Sequence, residues 1–166
     1  MGYVAILVEG PDCSGKSTVV ERLKNIFHWD SKSLHHRPGD QFGRYLREYA
    51  LGEQIVFDRG HISEHVFAQM WRGGSPFSDE ERSILDELCK NKILTIFTCP
   101  PVELMQQRYR ERGFEQQIQL EELERCRTLF STTFEKIPHI VYTSQNFAEL
   151  DQLILRVRKE IENPSH

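Results

Sequence analysis

Residues 10–17 read Gly10-Pro11-Asp12-Cys13-Ser14-Gly15-Lys16-Ser17, the spacing G-x-x-x-x-G-K-[ST]. The two glycines let the backbone curl where a Cβ would obstruct it. The flanks suit the loop. Tyr3 to Val8 is an apolar, β-rich run of the length of a buried parallel strand. Val19, Val20, Leu23 and Phe27 follow at helical spacing. In the order strand, glycine loop, helix, the loop N–H groups and the positive helix end converge on a phosphate chain. Lys16 is then positioned for the β- and γ-phosphates and the Ser17 hydroxyl for Mg²⁺. The candidate nucleotide contacts are Gly10, Asp12, Cys13, Ser14, Gly15, Lys16, Ser17 and Thr18. Cys13, inside the loop, is expected to be open to alkylation with loss of activity.

Downstream, strand and helix signals alternate. Strands are expected over 33–36, 54–58, 92–98 and 139–143, and helices over 40–51, 62–71, 78–89, 102–112, 119–136 and 147–161. Phe42, Tyr45, Leu46 and Tyr49 share one side of the second helix. This alternation predicts an α/β fold: a parallel sheet of about five strands with helices on both faces. Ligands then bind at the carboxyl ends of the strands, where the glycine loop, Asp58 and Thr98 fall. The length of 166 residues suits one domain over 1–166.

With 21 basic and 25 acidic residues the net charge is −4, so no global field draws the chain to nucleic acid or an anionic membrane. No apolar run approaches a membrane span, and no charged-then-apolar leader opens the chain. Cys13, Cys89, Cys99 and Cys126 lack metal-ligand spacing and read as reduced thiols, so a cytoplasmic protein is expected. The seven histidines show no zinc-site spacing either. The tail Asn163 to His166 reads as frayed.

Two further groups carry chemistry. Asp58 ends an apolar strand, where a carboxylate can hold Mg²⁺ or accept a proton from an attacking hydroxyl. Arg59 beside it can clamp an acceptor phosphate. Arg108 and Arg112 share a helix face, with Arg110 between them; Gly113 then breaks the helix before Glu115-Gln116-Gln117. A basic lid over about 110–118, closing on ATP, would neutralise the transferring phosphoryl group and exclude water.

These blocks together resemble the thymidylate kinase and deoxynucleoside kinase family. Val8 to Thr18 is similar to its F-E-G-x-D-G-x-G-K-[ST]-T, and Asp58-Arg59-x-x-x-Ser63-x-x-x-Phe67 to its D-R-x-x-x-S-x-x-x-Y. Pro100 to Gly113 resembles the segment before the lid, Gly113 to Glu121 the lid and following helix, and Val141 to Gln145 the strand and loop that hold adenine. The resemblance implies ATP as donor and Mg²⁺. It also implies Asp12 at the acceptor sugar, Ser63 and Phe67 in the acceptor site, and Arg108 at the donor.

Three departures stand out. His36-Arg37-Pro38-Gly39 occupies the place of R-E-P-G, so the acceptor-phosphate role passes to His36 or Arg37. The carboxylate that deoxynucleoside kinases use as base is missing there, leaving Asp58 or Glu9 for that role. The interval from Gly39 to Asp58 is also too short for the family's base-recognising helix. Either other residues read the base, such as Phe42, Tyr45, His61 or His65, or the acceptor site is unusually open.

The first functional reading is transfer of the ATP γ-phosphoryl group to a deoxynucleoside monophosphate such as dTMP. The second is a kinase for a hydroxyl on a modified pyrimidine in DNA, on a polynucleotide end or on a free deoxynucleoside. The basic set His35, His36, Arg37, Arg44, Arg47 and Arg72 suits an acceptor in DNA. The intact Lys16, Ser17, Asp58 and lid arginines oppose a third, a non-catalytic nucleotide switch. Family members often dimerise through helices, so a homodimer is among the expectations.

Overall fold

The computed structural model describes residues 2–113 and 118–162. Strand β1 (Ala5–Glu9) is buried along its whole length. Its side chains alternate between two cores. Ile6 and Val8 face one formed with α1 (Lys16–Phe27) and α7 (Phe147–Glu162). Ala5 and Leu7 face the opposite core, with Tyr45 and Tyr49 of α2 (Gln41–Leu51) and Leu85 and Cys89 of α4 (Asp79–Lys92). A strand covered on both faces has no polar alternation, as the apolar run at its sequence implies.

Strands β2 (Asp30–Ser33), β3 (Ile55–Asp58), β4 (Ile93–Thr98) and β5 (Ile140–Tyr142) complete an α/β fold. The five-stranded sheet has the order β2-β3-β1-β4-β5 and every pairing is parallel. The remaining helices are α3 (His61–Trp71), α5 (Val102–Arg112) and α6 (Leu123–Phe134), the last preceded by a 3₁₀ turn at Leu120–Glu122. They enclose a third cluster, in which Phe97 stacks on Phe134 at 4.3 Å. In register, Val8 of β1 lies beside Asp58 of β3, and Glu9 beside Phe97 of β4. The glycine loop and Asp58 therefore leave the sheet side by side.

Two expected boundaries move. The second strand lies at 30–33 rather than 33–36. All four of its side chains are exposed, so no burial pattern marked it; pairing Asp30 with Ile55 and Ser33 with Asp58 sets its place. The long helix over 119–136 is divided into the 3₁₀ turn and α6. Of the expected lid, 110–112 belong to α5, Ile118 is buried in the core, and 114–117 lie outside the described residues, as does the tail 163–166.

A polar network anchors α3 inside this apolar frame. The Tyr49 hydroxyl accepts the His61 backbone N–H at 3.0 Å and shares a 3.0 Å hydrogen bond with His61 Nδ1. Asp86 Oδ1 receives His61 Nε2 at 2.8 Å. One tautomer satisfies all three contacts: Tyr49 donates to Nδ1, and Nε2–H donates to Asp86. Replacing Tyr49 by Phe strands two buried groups of His61, its backbone N–H and its Nδ1. The expected outcome is a loss of about 1–3 kcal/mol, read as a lower urea midpoint with an unchanged slope.

Candidate active site

Gly10 has φ +153 and Gly15 φ +86. A Cβ on Gly10 would overlap the hydroxyl and carbonyl of Thr98, and one on Gly15 would strike the Ser144 hydroxyl. The loop is thus pressed against the ends of β4 and β5. Ser14 Oγ meets Thr98 Oγ1 at 2.6 Å, and Thr98 donates to the Glu9 carbonyl at 3.1 Å. The Ser14 side chain therefore holds the loop, and what it offers a ligand is its backbone. Helix α1 has neither a side-chain cap nor an acid in its first turn. Helix α4 has Ser78 and Glu81 in a reciprocal capping box and three acids in its first turn. The first N–H groups of α1 are left for an anion.

The loop encloses a pocket of about 110 Å³ lined by Pro11 to Ser17, Arg59 and Arg112. Lys16 Nζ lies 2.7 Å from Asp58 Oδ1. Burial, followed by the nearby Arg59, pushes the Lys16 ammonium below its ordinary range despite Asp58. Two cations compressed at one spot favour an arriving anion. Ser17 and Asp58 offer hard oxygen donors beside this pocket, which fits Mg²⁺ shared between protein, phosphate and water. Among the described residues no group of three or more His, Cys, Asp or Glu could hold a metal without such help.

On one side of the phosphate pocket lies a larger cavity of about 570 Å³ between α1, α5 and the β5–α7 loop. Gly15 and Arg112 belong to both. Thr18 and Tyr142 line it, with Phe147, 86% exposed, on its rim. Arg108 donates to Ser144 O at 2.6 Å, to Ser144 Oγ at 2.9 Å and to Cys13 O at 3.3 Å. It ties the phosphate loop to the β5–α7 loop, while Arg112 faces the phosphate pocket. Glu149 accepts from Thr143 N at 2.7 Å and Gln145 N at 2.9 Å, fixing the shape of that loop.

On the other side lies a cleft of about 440 Å³, and Arg59 lines both it and the phosphate pocket. Arg59 has φ +67, pairs with Asp12, and stands over the Phe67 ring at 4.8 Å. Phe67 in turn stacks in parallel on Trp71 at 5.1 Å. Trp71 Nε1 donates to Glu122 Oε1 at 3.1 Å, which joins this wall to the turn before α6. His36 lines the cleft and shares a 2.9 Å hydrogen bond with Glu64 Oε1. Arg37 is exposed and outside the lining, so of that pair only His36 is at the cleft. Ser63 lines the cleft, yet its hydroxyl and backbone N–H both donate to Glu9.

Several expectations need correction. Cys13 is buried, and burial raises its thiol pKa above the ordinary value, so it is not an open alkylation target. None of the four suggested base readers lines the cleft. Tyr45 and His61 are fully buried, and Phe42 packs against the same core. His65 lines a separate cavity with Arg82 and Asp86. Burial, then Arg82, brings its pKa down to about 4. The stripe of α2 thus serves the core. Glu64, Trp71 and Arg72 line the cleft instead. Between Ser63 and His65, no apolar neighbour in the sequence signalled that Glu64 would be buried.

With this geometry in place, the class can be stated: the chain has the fold of the P-loop kinases. The structure of YorR from Bacillus subtilis in complex with phosphorylated GDP superposes with a TM-score of 0.81 at 18% identity, covering 94% of this chain and 96% of that one. Deoxyadenosine kinase from M. mycoides with bound dATP gives 0.63 at 13% identity, covering 93% and 99%. Shikimate kinase from Acinetobacter baumannii in complex with shikimate gives 0.59 at 18%, covering 99% and 96%. In sequence, the chain is 24% identical to the SPbeta prophage-derived protein YorR of Bacillus subtilis (strain 168) over 115 residues, 66% of this chain and 70% of that protein. No family model matches.

The Glu9–Ser63 contact generates a pH-dependent prediction. Glu9 is fully buried, and desolvation raises its pKa above 4.5 against the pull of the Ser63 hydrogen bonds. A carboxyl with a raised folded-state pKa gives its full stability below its unfolded value and loses it as pH rises through the folded one. Ser63→Ala removes one stabilising donor and raises that pKa further. The variant is expected to lose about 1–3 kcal/mol at pH 8 and less at pH 5, measured by urea unfolding at both.

Proposed function

We propose that the protein is an ATP-dependent phosphotransferase that moves the γ-phosphoryl group to a deoxynucleotide. The acceptor in this reading is a deoxynucleoside monophosphate, of which dTMP is the one named by the sequence resemblance. One observation carries it: the three cavities form a single groove, joined at Gly15 and Arg112 on one side of the phosphate pocket and at Arg59 on the other. A nucleoside in the first cavity places its phosphates in the loop. An acceptor in the cleft then meets the γ-phosphoryl group at Arg59. YorR in complex with phosphorylated GDP, and deoxyadenosine kinase with bound dATP, with bound dCTP and with dCMP as a product, support nucleotides as the ligands of such a groove.

In this reading positioning and charge neutralisation supply the rate. Lys16 turns from Asp58 to the β- and γ-phosphates. Arg112 closes over the transferring group. Arg59, held by Asp12 and Phe67, orients the acceptor phosphate. Mg²⁺, when bound by Ser17 and Asp58, supplies further neutralisation at the phosphate oxygens.

A second reading has a specific basis. The outer wall of the cleft ends in Trp71, 39% exposed and stacked on Phe67, beside Arg72 and His35. Such an edge accommodates a base that belongs to a polymer, so a hydroxyl of modified pyrimidine in DNA is the alternative acceptor. Labelled ATP and Mg²⁺ incubated with pools of monophosphates, nucleosides and DNA separate the two. Label in a monophosphate pool supports the first reading; label only in DNA overturns it.

Two variants test the roles. Lys16→Ala is expected to lower kcat by about 10²–10³-fold, because a preorganised cation at the γ-phosphate is removed; a near-normal rate would overturn the donor site. Arg59→Ala is expected to raise the acceptor KM and lower kcat together, read from acceptor titrations at saturating ATP. An unchanged acceptor dependence would remove Arg59 from the acceptor site.

A further inference from the structure

Around the phosphate pocket and the cleft stand four carboxylates, and three are committed. Asp12 is bound by Arg59, Asp58 by Lys16, and Glu9 by the hydroxyl and N–H of Ser63. The fourth, Glu64, is 3% exposed and lines the cleft. Only its Oε1 is engaged, by Arg72 Nη2 at 2.6 Å and by His36 Nδ1 at 2.9 Å. Its Oε2 has no hydrogen-bond partner among the described residues, in a side chain that lines the cleft. A buried carboxylate oxygen of this kind demands a donor from whatever fills the space.

We infer that Glu64 is the specificity-determining residue for the acceptor base, accepting an exocyclic amino group and so selecting guanine, adenine or cytosine over thymine. The inference rests on the nucleotide-acceptor reading above and moves the preferred base away from thymine. Position separates this role from proton abstraction. The phosphate pocket is bordered by Arg59 and Arg112 and not by Glu64. Glu64 belongs with Phe67, Trp71 and Arg72 in the cleft beyond it. The end of the acceptor away from the reacting atom therefore faces Glu64, and the Phe67–Trp71 stack supplies the wall for a base.

The amino preference follows from the hydrogen-bond inventory. A carboxylate oxygen only accepts. Thymine's one edge donor, N3–H, lies between two carbonyl oxygens that repel an approaching carboxylate. An amino group projects from the ring rim and reaches Oε2 without that penalty. Arg72 and His36 hold the carboxylate in place, so it need not reorganise on binding.

The test measures kcat/KM for dGMP, dAMP, dCMP and dTMP with labelled ATP, on the native protein and on Glu64→Gln, alongside direct binding of the same four nucleotides by tryptophan fluorescence. The native protein is expected to favour at least one amino-bearing acceptor over dTMP by about tenfold or more. Glu64→Gln is expected to reduce that ratio by a similar factor, with the pH profile of kcat unshifted. The native ranking alone tests the idea if the variant folds poorly. Preference for dTMP, in transfer or in binding, overturns the inference. An equal loss for all four acceptors with an altered pH profile also overturns it and assigns Glu64 to proton transfer. Selective binding of amino-bearing nucleotides without transfer upholds the inference and overturns the phosphotransfer reading instead. Transfer to monophosphates without preference does the reverse.

Discussion

The buried carboxylate of Glu9 holds the site together. It ends β1 immediately before the glycine loop, and it receives both the backbone N–H and the hydroxyl of Ser63 in the first turn of α3. A fully buried acid is costly unless it is supplied with donors. Meeting that demand brings the start of α3 against the end of β1. Glu64, Phe67 and Trp71 then fall where they do because α3 is rigid and its first turn is fixed, while Arg59, just before it, is held by its backbone N–H on the Val8 carbonyl. The Tyr49–His61–Asp86 network fixes the same turn from the opposite side. Donor loop and acceptor wall are therefore parts of one polar scaffold inside an apolar core.

Charge around the groove is organised by pairing. Lys16 lies on Asp58, Arg59 on Asp12, and Arg72 with His36 on Glu64. Each pair keeps long basic side chains in one place, which lowers the entropy cost of using them. Arg108 is the counterpart on the donor side, spent on joining two loops. Arg112, exposed at the end of α5, remains available to the phosphate pocket. Arginines four residues apart on one helix thus divide between scaffold and site.

Much of this was legible before any coordinates. The glycine loop, the apolar run before it and the helical stripe after it specify strand, turn and helix locally, and the structure has them in that order. Asp58 and Arg59 at a strand exit were readable for the same reason, since a short apolar run ending in charge marks where a buried strand meets solvent. The exposed edge strand β2 was not readable, because nothing in Asp30 to Ser33 is buried. The α2 stripe misled. Phe42, Tyr45 and their neighbours have the composition of a base-recognition surface, yet they face Leu7 and Phe57 across the core.

By itself the sequence determined the phosphate loop, the alternation of strands and helices, and hence the parallel sheet with its ligand edge. These rest on interactions between residues near in sequence, or on hydrophobic periodicity. Only the tertiary structure decided which polar groups are spent and which remain. Ser63 and Glu9 are 54 positions apart, and Arg59 and Asp12 are 47. No local pattern distinguishes a serine that meets a ligand from one that satisfies a buried acid. The unengaged oxygen of Glu64 emerges only once Asp12, Asp58 and Glu9 have found their partners across the fold.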